Sequence, residues 1–205
     1  MATGGGVSSA LEAIVLAGGA GSRFGGAKLT APWRGGVLLD GALTAAFAAP
    51  ARAVTVVTGA DPGVAPAARA LAAVLGESGR LRLVHAEDHA EGMAASLRAG
   101  IEALAADTDS VFVFLGDMPA VPLAIPPRLA TALAAGAWAA APVFEGRRGH
   151  PALFARRLFG ELAALAGDEG ARRVLDRLGE RLALVETADA RILFDVDRPD
   201  DFGAG

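Results

Sequence analysis

Short apolar runs alternate with alanine- and leucine-rich stretches along this 205-residue chain, and this alternation limits the possible folds more than any other feature. The clearest run, residues 111–115, reads Val-Phe-Val-Phe-Leu and contains no polar residue. Near-continuous apolar runs are typical of parallel strands that are covered on both faces. The pattern therefore predicts an α/β fold of three layers, with a mostly parallel sheet between two layers of helices.

The predicted elements follow one another without a break in composition. Strands are predicted at 13–17, 54–57, 82–84, 111–115, 137–144, 182–185 and 192–194. Helices are predicted at 39–49, 64–75, 93–106, 126–135, 156–166 and 171–179. Because no repeat or long linker divides the chain, we expect a single domain over residues 1–205, with its core at about 11–202.

Composition excludes several classes of protein. With 19 basic and 23 acidic residues, the chain lacks the positive balance that non-specific nucleic-acid binding requires. Cysteine is absent, so disulfides, thiolate metal sites and cysteine nucleophiles are excluded. The first ten residues lack a signal-peptide pattern, and the longest uncharged run, 129–144, is shorter than the roughly 20 apolar residues that cross a bilayer. We therefore expect a cytoplasmic protein with no nucleic-acid or membrane partner.

A glycine-rich loop, residues 18–26, follows the first predicted strand. Glycines let backbone N–H groups approach phosphate oxygens, because no Cβ stands in the way. Arg23 and Lys28 add positive charge that suits a polyphosphate. The loop is neither a Walker A loop nor a dinucleotide fingerprint, since Leu29 follows Lys28 and Phe24 stands where a third glycine belongs. A flexible surface loop is the alternative, but the two basic residues favour anion binding.

Carboxylates follow two other predicted strands. Asp117 comes one residue after the run 111–115, and Asp195 and Asp197 follow the last predicted strand. In open α/β sheets, ligands bind beyond the carboxyl ends of the strands, so we expect these carboxylates to meet the glycine-rich loop. Asp117 with either Asp195 or Asp197 would suit Mg²⁺, which takes one or two carboxylates plus substrate phosphate oxygens. The structural alternatives are a turn at Asp117 and a helix N-terminus after Asp197.

A basic turn at 147–151 completes the set of polar clusters. Its two arginines suit a phosphate or an acidic ligand, although exposed arginine-rich turns are common. His85 and His89 have no partners at metal-ligand spacing and receive no role. The chain contains no Gly-x-Ser-x-Gly nucleophile elbow, so covalent acyl chemistry has no support.

Taken in order, six motifs make the chain resemble the molybdenum-cofactor nucleotidyltransferase family, and most closely its cytidylyltransferase branch. The resemblance covers residues 13–202. The motifs are residues 16–28, Glu91-Gly92-Met93 with Ser96-Leu97, Gly116-Asp117-Met118-Pro119, Arg148-Gly149-His150-Pro151, Gly167-Asp168-Glu169-Gly170-Ala171-Arg172 and Asp195-Val196-Asp197-Arg198-Pro199. The first and third are shared with many nucleotidyltransferases, whereas 148–151 and 167–172 are particular to the cytidylyl branch.

The resemblance implies a Rossmann-like nucleotidyltransferase fold and a Mg²⁺-dependent reaction. The terminal phosphate of molybdopterin, loaded with molybdenum, would attack the α-phosphate of an NTP, and pyrophosphate would leave. CTP is the favoured nucleotide and GTP a possible one. The implied partner is a molybdenum hydroxylase or its maturation chaperone.

The same resemblance implies roles for particular residues of the motifs. The implied nucleotide-binding residues are Leu16, Ala17, Gly18, Gly19, Gly21, Ser22, Arg23, Gly26, Lys28, Gly92 and Ser96. The implied catalytic residues are Arg23, Lys28 and Asp117, and Asp117 and Asp197 would hold Mg²⁺. The acceptor would face Arg148, Gly149, His150, Asp168, Gly170 and Arg172.

Three alternatives stay open. Residues 16–19 read Leu-Ala-Gly-Gly, the form usual in the guanylyl branch, whereas the cytidylyl branch usually has Leu-Ala-Ala-Gly. A guanylyltransferase acting on the same cofactor is therefore the first alternative. The second is a nucleotidyltransferase that acts on a sugar phosphate or another small phosphate. The third is a non-catalytic carrier of the molybdenum cofactor, which intact Lys28, Asp117 and Asp197 argue against, because a carrier would tolerate their loss.

Overall fold

A sheet of eight strands forms the centre of the computed structural model, which describes residues 10–19, 21, 24–197 and 201. The strands of this sheet and of a small separate hairpin, β2–β3, are β1 (Leu11–Ala17), β2 (Pro32–Trp33), β3 (Gly36–Val37), β4 (Val54–Thr58), β5 (Leu81–His85), β6 (Ser110–Leu115), β7 (Ala139–Phe144), β8 (Arg147–Arg148), β9 (Ala152–Ala155) and β10 (Leu182–Glu186). The order across the large sheet is β10-β7-β9-β6-β1-β4-β5, and β8 pairs with β7.

Helices cover both faces of the sheet. They are α1 (Leu39–Ala48), α2 (Val64–Val74), α3 (Met93–Glu102), α4 (Ile125–Ala134), α5 (Phe159–Ala163) and α6 (Arg172–Asp176). Buried residues of α1, α2 and α4 belong to one hydrophobic cluster, and those of α3, α5 and α6 belong to a second. Each cluster includes residues of the sheet, so the predicted three-layer α/β architecture is confirmed. No helix among the described residues combines the length and the apolar character needed to cross a membrane.

The order of strands places β1 at a switch point of the sheet. β1 pairs in parallel with β4 on one side and with β6 on the other, and β4 pairs in parallel with β5. The sheet therefore extends in opposite directions from β1, and such a reversal leaves a crevice at the carboxyl ends of the strands. The glycine-rich loop follows β1 at this edge, and Asp117 follows β6 there.

One predicted strand is wrong, and one strand of the central sheet was missed. The predicted strand 192–194 is replaced by a 3-10 helix, Ala190–Leu193, which Asp189 caps by accepting a hydrogen bond from the Arg191 backbone N–H. Conversely, β9 was not predicted, because Ala-Leu-Phe-Ala is short, contains no β-branched residue and gives no alternating pattern. β9 lies between β6 and β7 and is antiparallel to both, which makes the sheet mixed at this point.

The two helices predicted in the C-terminal third are also shorter than expected. The segment predicted as 156–166 forms a 3-10 turn, Arg156–Leu158, followed by α5, and the segment 171–179 contains only the five residues of α6. Gly160 lies within the first segment and Gly179 ends the second with a φ of 53°. Glycine weakens helical propagation, which is consistent with these short elements.

A buried carboxylate links three elements at the amino-terminal edge of the sheet. Glu12, on β1, is 0% exposed and accepts hydrogen bonds from Arg52 Nε at 3.1 Å and from the Thr108 hydroxyl at 3.0 Å. Arg82 approaches its other oxygen at 3.1 Å. Arg52 also pairs with Asp107, and these contacts raise the pKa of the Arg52 guanidinium. This cluster lies at the end of β1 opposite the glycine-rich loop.

Candidate active site

A cavity of about 480 Å³ opens at the carboxyl end of β1. Its walls come from the end of β1, the glycine-rich loop, the 3-10 turn Lys28–Thr30, the segment leading into α3, the end of β6 and the loop before α6. The residues that line it are Leu16, Ala17, Gly18, Gly19, Gly21, Lys28, Leu29, His89, Ala90, Gly92, Met93, Ser96, Leu115, Asp117 and Asp168.

Most residues predicted to bind the nucleotide meet in this cavity. Those that line it are Leu16, Ala17, Gly18, Gly19, Gly21, Lys28, Gly92 and Ser96. Gly26 is described but is not part of the lining, and the predictions for Ser22 and Arg23 fall outside the described residues. The structure thus brings together two motifs that are more than 60 residues apart in the sequence, 16–28 and 92–96.

Gly18 and Ser96 are packed so closely that they constrain each other. A Cβ added to Gly18 would stand 2.4 Å from the Ser96 Oγ, a distance that real Cβ contacts do not show. Ser96 is only 4% exposed, on α3, and the Gly18 carbonyl accepts a hydrogen bond from the Ala60 backbone N–H at 3.2 Å. Residue 18 must therefore be glycine as long as the serine side chain keeps its position.

Replacing Gly18 by alanine is expected to lower the free energy of unfolding by about 1–3 kcal/mol, because the added methyl group overpacks the site. The double variant Gly18→Ala/Ser96→Ala should recover most of this loss, because it removes the hydroxyl that the methyl group would contact. Urea unfolding of both variants measures the effect. Gly79→Ala is the matched control, since a Cβ at Gly79 would meet nothing within 4 Å. Additive effects of the two substitutions would contradict this account.

Gly92 makes a second close approach at the start of α3. Its φ is 113°, which L side chains rarely adopt, and a Cβ there would lie 2.5 Å from the Gly167 carbonyl oxygen and 2.6 Å from Asp168 Oδ1. The Ala94 backbone N–H donates to the same carbonyl at 3.0 Å. The loop before α6 is thereby fastened to the N-terminal end of α3, which brings Asp168 into the wall of the cavity.

Lys28 lies between two carboxylates at the floor of the site. Its Nζ is 2.8 Å from Asp117 Oδ2 and 3.5 Å from Asp197 Oδ1. The Val196 backbone N–H donates to the Asp117 carbonyl at 3.0 Å, which holds the C-terminal segment against the loop after β6. The sequence left open whether Asp195 or Asp197 accompanies Asp117. In the structure, Asp197 is the one that pairs with Lys28. Burial, followed by the charge of Asp197, raises the pKa of Asp195.

The two carboxylates fit a magnesium site completed by substrate. No group of three or more histidine, aspartate or glutamate side chains in the described part of the chain is arranged to hold a metal ion. Asp117 and Asp197 converge on one positive charge, and Mg²⁺ is commonly held by one or two carboxylates with phosphate oxygens and water as its other ligands. Asp117, which lines the cavity, and Asp197, which lies on the other side of the Lys28 ammonium group, therefore suit Mg²⁺ together with a polyphosphate.

Of the six residues predicted to face the acceptor, one is part of the cavity lining. That residue is Asp168, and a Cβ on Gly170 would lie 3.2 Å from the Met93 sulfur. Arg148 pairs with Asp176 of α6, and Gly149 packs tightly against the backbone of Ile192. Arg148 and Gly149 are therefore engaged in contacts within the protein.

His150 is a half-buried imidazole that interacts electrostatically with Asp117 and is neutral at pH 7. Burial lowers its pKa from 6.5 to about 4, the charge of Asp117 partly opposes this, and Arg172 reinforces it. Its Nδ1 is buried and has no hydrogen-bond partner among the described residues. The backbone N–H of His150 donates to the Ile192 carbonyl at 3.0 Å, which fixes the turn after β8.

The lowered pKa of His150 predicts a loss of stability in mild acid. His150 binds a proton near pH 6.5 in the unfolded chain and only near pH 4 in the folded one. The contribution of the neutral imidazole to the free energy of unfolding is therefore complete above pH 6.5 and is lost as the pH falls towards 4. We expect the loss to be about 2–3 kcal/mol. Urea unfolding at several pH values measures it. His150→Gln should remove this part of the pH dependence and the control His85→Gln should not; an unchanged slope in His150→Gln would refute the assignment.

Several cavity residues were not predicted from the sequence. His89, Ala90 and Met93 line the cavity, and Met93 is 42% exposed although it is a large apolar residue. His89 received no role because no partner stands at a recognisable spacing. Its position in the sequence could have indicated a place in the site, because His89 comes three residues before Gly92. In the structure, His89–Glu91 form a 3-10 turn that leads directly into Gly92.

Comparisons with known proteins agree with this geometry. Residues 13–182 match the family described as MobA-like NTP transferase domain. Molybdenum cofactor cytidylyltransferase from Escherichia coli (strain K12) is 28% identical over 194 residues, which are 95% of this chain and 94% of that protein.

Solved structures show the same fold over nearly the whole chain. The crystal structure of Rv0371c from Mycobacterium tuberculosis H37Rv has a TM-score of 0.79 and 27% identity, over 97% of this chain and 98% of that one. Its complex with manganese has a TM-score of 0.71 and 27% identity, over 95% and 96% of the two chains. Because the family match covers most of the sequence, this chain belongs to the MobA-like NTP transferase family and is a nucleotidyltransferase.

Proposed function

We propose that this nucleotidyltransferase transfers CMP from CTP to the terminal phosphate of the molybdenum cofactor and releases pyrophosphate. The observation that carries the proposal is that Gly18, Lys28, Asp117 and Asp168 line the same cavity. The first three belong to motifs shared by many nucleotidyltransferases, and Asp168 belongs to a motif particular to the cytidylyl branch. The 28% identity to a molybdenum cofactor cytidylyltransferase supports the same acceptor.

The proposed chemistry needs positioning and charge neutralisation more than a protein nucleophile. A phosphate oxygen of the acceptor forms a bond to the α-phosphorus, and the bond from that phosphorus to the oxygen bridging to the β-phosphate breaks. The attacking group is already an anion, so no strong general base is required. Arg23 and Lys28 would neutralise the phosphates, while backbone N–H groups of the glycine-rich loop would hold the triphosphate.

We propose Mg²⁺ as the cofactor, held by Asp117 and Asp197, where its charge would stabilise the developing negative charge of the leaving pyrophosphate. The structure of a relative in complex with manganese supports a divalent cation in general. The further parts of the proposal are a cytoplasmic enzyme and a molybdenum hydroxylase, or its maturation chaperone, as the recipient of the product.

GTP is the second candidate nucleotide, and one contact favours it. Residue 18 is glycine, as is usual in the guanylyl branch, and an alanine at this position would collide with Ser96 Oγ. Thus the site is built around the glycine form of the motif. Selectivity for one base over the other depends on differences in fit and hydrogen bonding at this end of the cavity.

Pyrophosphate release tests the proposal directly. The purified protein is given molybdenum cofactor, Mg²⁺ and either CTP or GTP, and the kcat/KM for each nucleotide is measured. Turnover with CTP supports a cytidylyltransferase, and turnover with GTP alone supports the guanylyl alternative. No turnover with either nucleotide, from folded protein and intact cofactor, would overturn the acceptor assignment and favour a sugar phosphate or a carrier function.

A further inference from the structure

The ammonium group of Lys28 occupies the position between Asp117 and Asp197. It lies 2.8 Å from one carboxylate and 3.5 Å from the other, and its side chain is only 12% exposed, against 30% and 51% for the two aspartates. The backbone of Lys28 begins the 3-10 turn Lys28–Thr30, which is anchored by buried Leu29. The Cα of Lys28 is thus fixed, whereas its four-carbon side chain can redirect the ammonium group.

We propose that the Lys28 ammonium group and the divalent cation bind the carboxylates of Asp117 and Asp197 in turn. In the nucleotide-free protein, the ammonium group neutralises Asp117 and Asp197 and opposes cation binding. When a triphosphate enters the cavity, the ammonium group moves to the phosphate oxygens and releases the carboxylates to the cation. This inference rests on the proposed function in one respect, namely that these two aspartates are the cation ligands.

Charge and space support this exchange. A lysine ammonium that donates a hydrogen bond to Asp117 Oδ2 occupies lone pairs that a cation would need. Two positive centres within a few ångströms also repel each other strongly in a partly buried site. A triphosphate offers the ammonium group new acceptors, and so nucleotide and cation should strengthen each other's binding to the same degree.

The test measures Mn²⁺ binding to the nucleotide-free protein, by the electron paramagnetic resonance signal of free Mn²⁺. Removing the charge with Lys28→Met should tighten Mn²⁺ binding by about ten-fold or more, because the competing ammonium group is gone. Lys28→Gln should behave in the same way, which guards against a folding defect in the methionine variant. Lys28→Arg keeps the charge and should bind Mn²⁺ as weakly as the unmodified protein. Thermal unfolding checks that each variant is folded.

The location of the bound ion is tested with Lys28→Met/Asp117→Asn, which should lose the gain in affinity. Equal Mn²⁺ affinity in the unmodified protein and both neutral variants would overturn the exchange, while leaving the proposed transfer reaction intact. Mn²⁺ binding that Asp117→Asn does not weaken would overturn the metal assignment itself, and the exchange with it. If Lys28 only bound phosphate, its neutral variants would bind Mn²⁺ with the same affinity as the unmodified protein, since no phosphate is present.

Discussion

Asp117→Asn is expected to lower kcat for pyrophosphate release by at least about 100-fold, with little change in stability. The substitution keeps the size of the side chain and removes the negative charge that pairs with Lys28 at 2.8 Å. If that charge holds a cation in the reaction, its loss should destabilise the transition state, where negative charge builds up on the phosphates. Steady-state kinetics at saturating Mg²⁺ measures the effect.

Asp109→Asn is the matched control for this prediction. Asp109 precedes β6, at the edge of the sheet opposite the cavity, and accepts a hydrogen bond from the Ala10 backbone N–H that an asparagine oxygen can also accept. This variant should keep full activity. Loss of activity in both variants, or in neither, would show that Asp117 has no special part in the reaction.

Glu12→Gln is expected to lower the free energy of unfolding by about 3 kcal/mol. Glu12 is completely buried and bonds to Arg52, Arg82 and Thr108. Neutralising it leaves two guanidinium groups without their shared partner. The expected loss is at the lower end for a broken buried pair, because the side chains of Arg52 and Arg82 are 38% and 46% exposed and can turn towards water.

The comparison for Glu12 is Glu161→Gln, which breaks an exposed ion pair with Arg177. Exposed pairs contribute little, so this variant should lose less than about 1 kcal/mol. Guanidinium chloride unfolding of the two variants gives the difference. A loss below about 1 kcal/mol in Glu12→Gln would mean that the buried carboxylate is no more important than a surface one.

The sequence was most informative where one local pattern determined the structure. The run 111–115 became β6 and the stretch 64–75 became α2, since the first is continuously apolar, the second is rich in alanine, and both have clear ends. β9 could not be predicted, because its place between β6 and β7 depends on pairing with distant strands rather than on its own residues. The strand prediction at 192–194 was wrong for a related reason. Asp189 caps a 3-10 turn there, and the apolar pattern suits a strand or a 3-10 turn equally.

The site was predictable in its motifs but not in its contacts. The meeting of Gly18 and Asp117 followed from the position of each one after a parallel strand. The close contact of Gly18 with Ser96, and the choice of Asp197 over Asp195 as the partner of Lys28, depend on packing between segments far apart in the chain. The burial of His150, which lowers its pKa, is likewise a property of the assembled fold.

The order of the elements has a consequence for how such a chain can diversify. The cavity residues up to Asp117 come from the elements up to β6, whereas the residues that we propose for the acceptor come from the segment after β7. Under the proposed function, the residues that bind the donor precede those that bind the acceptor along the chain, with Asp197 as the exception. The two parts of the chain are joined where the Val196 N–H donates to the Asp117 carbonyl. Substitutions in the later part would then change the group that receives the nucleotide, while the strands, loop and helix of the earlier part stay the same.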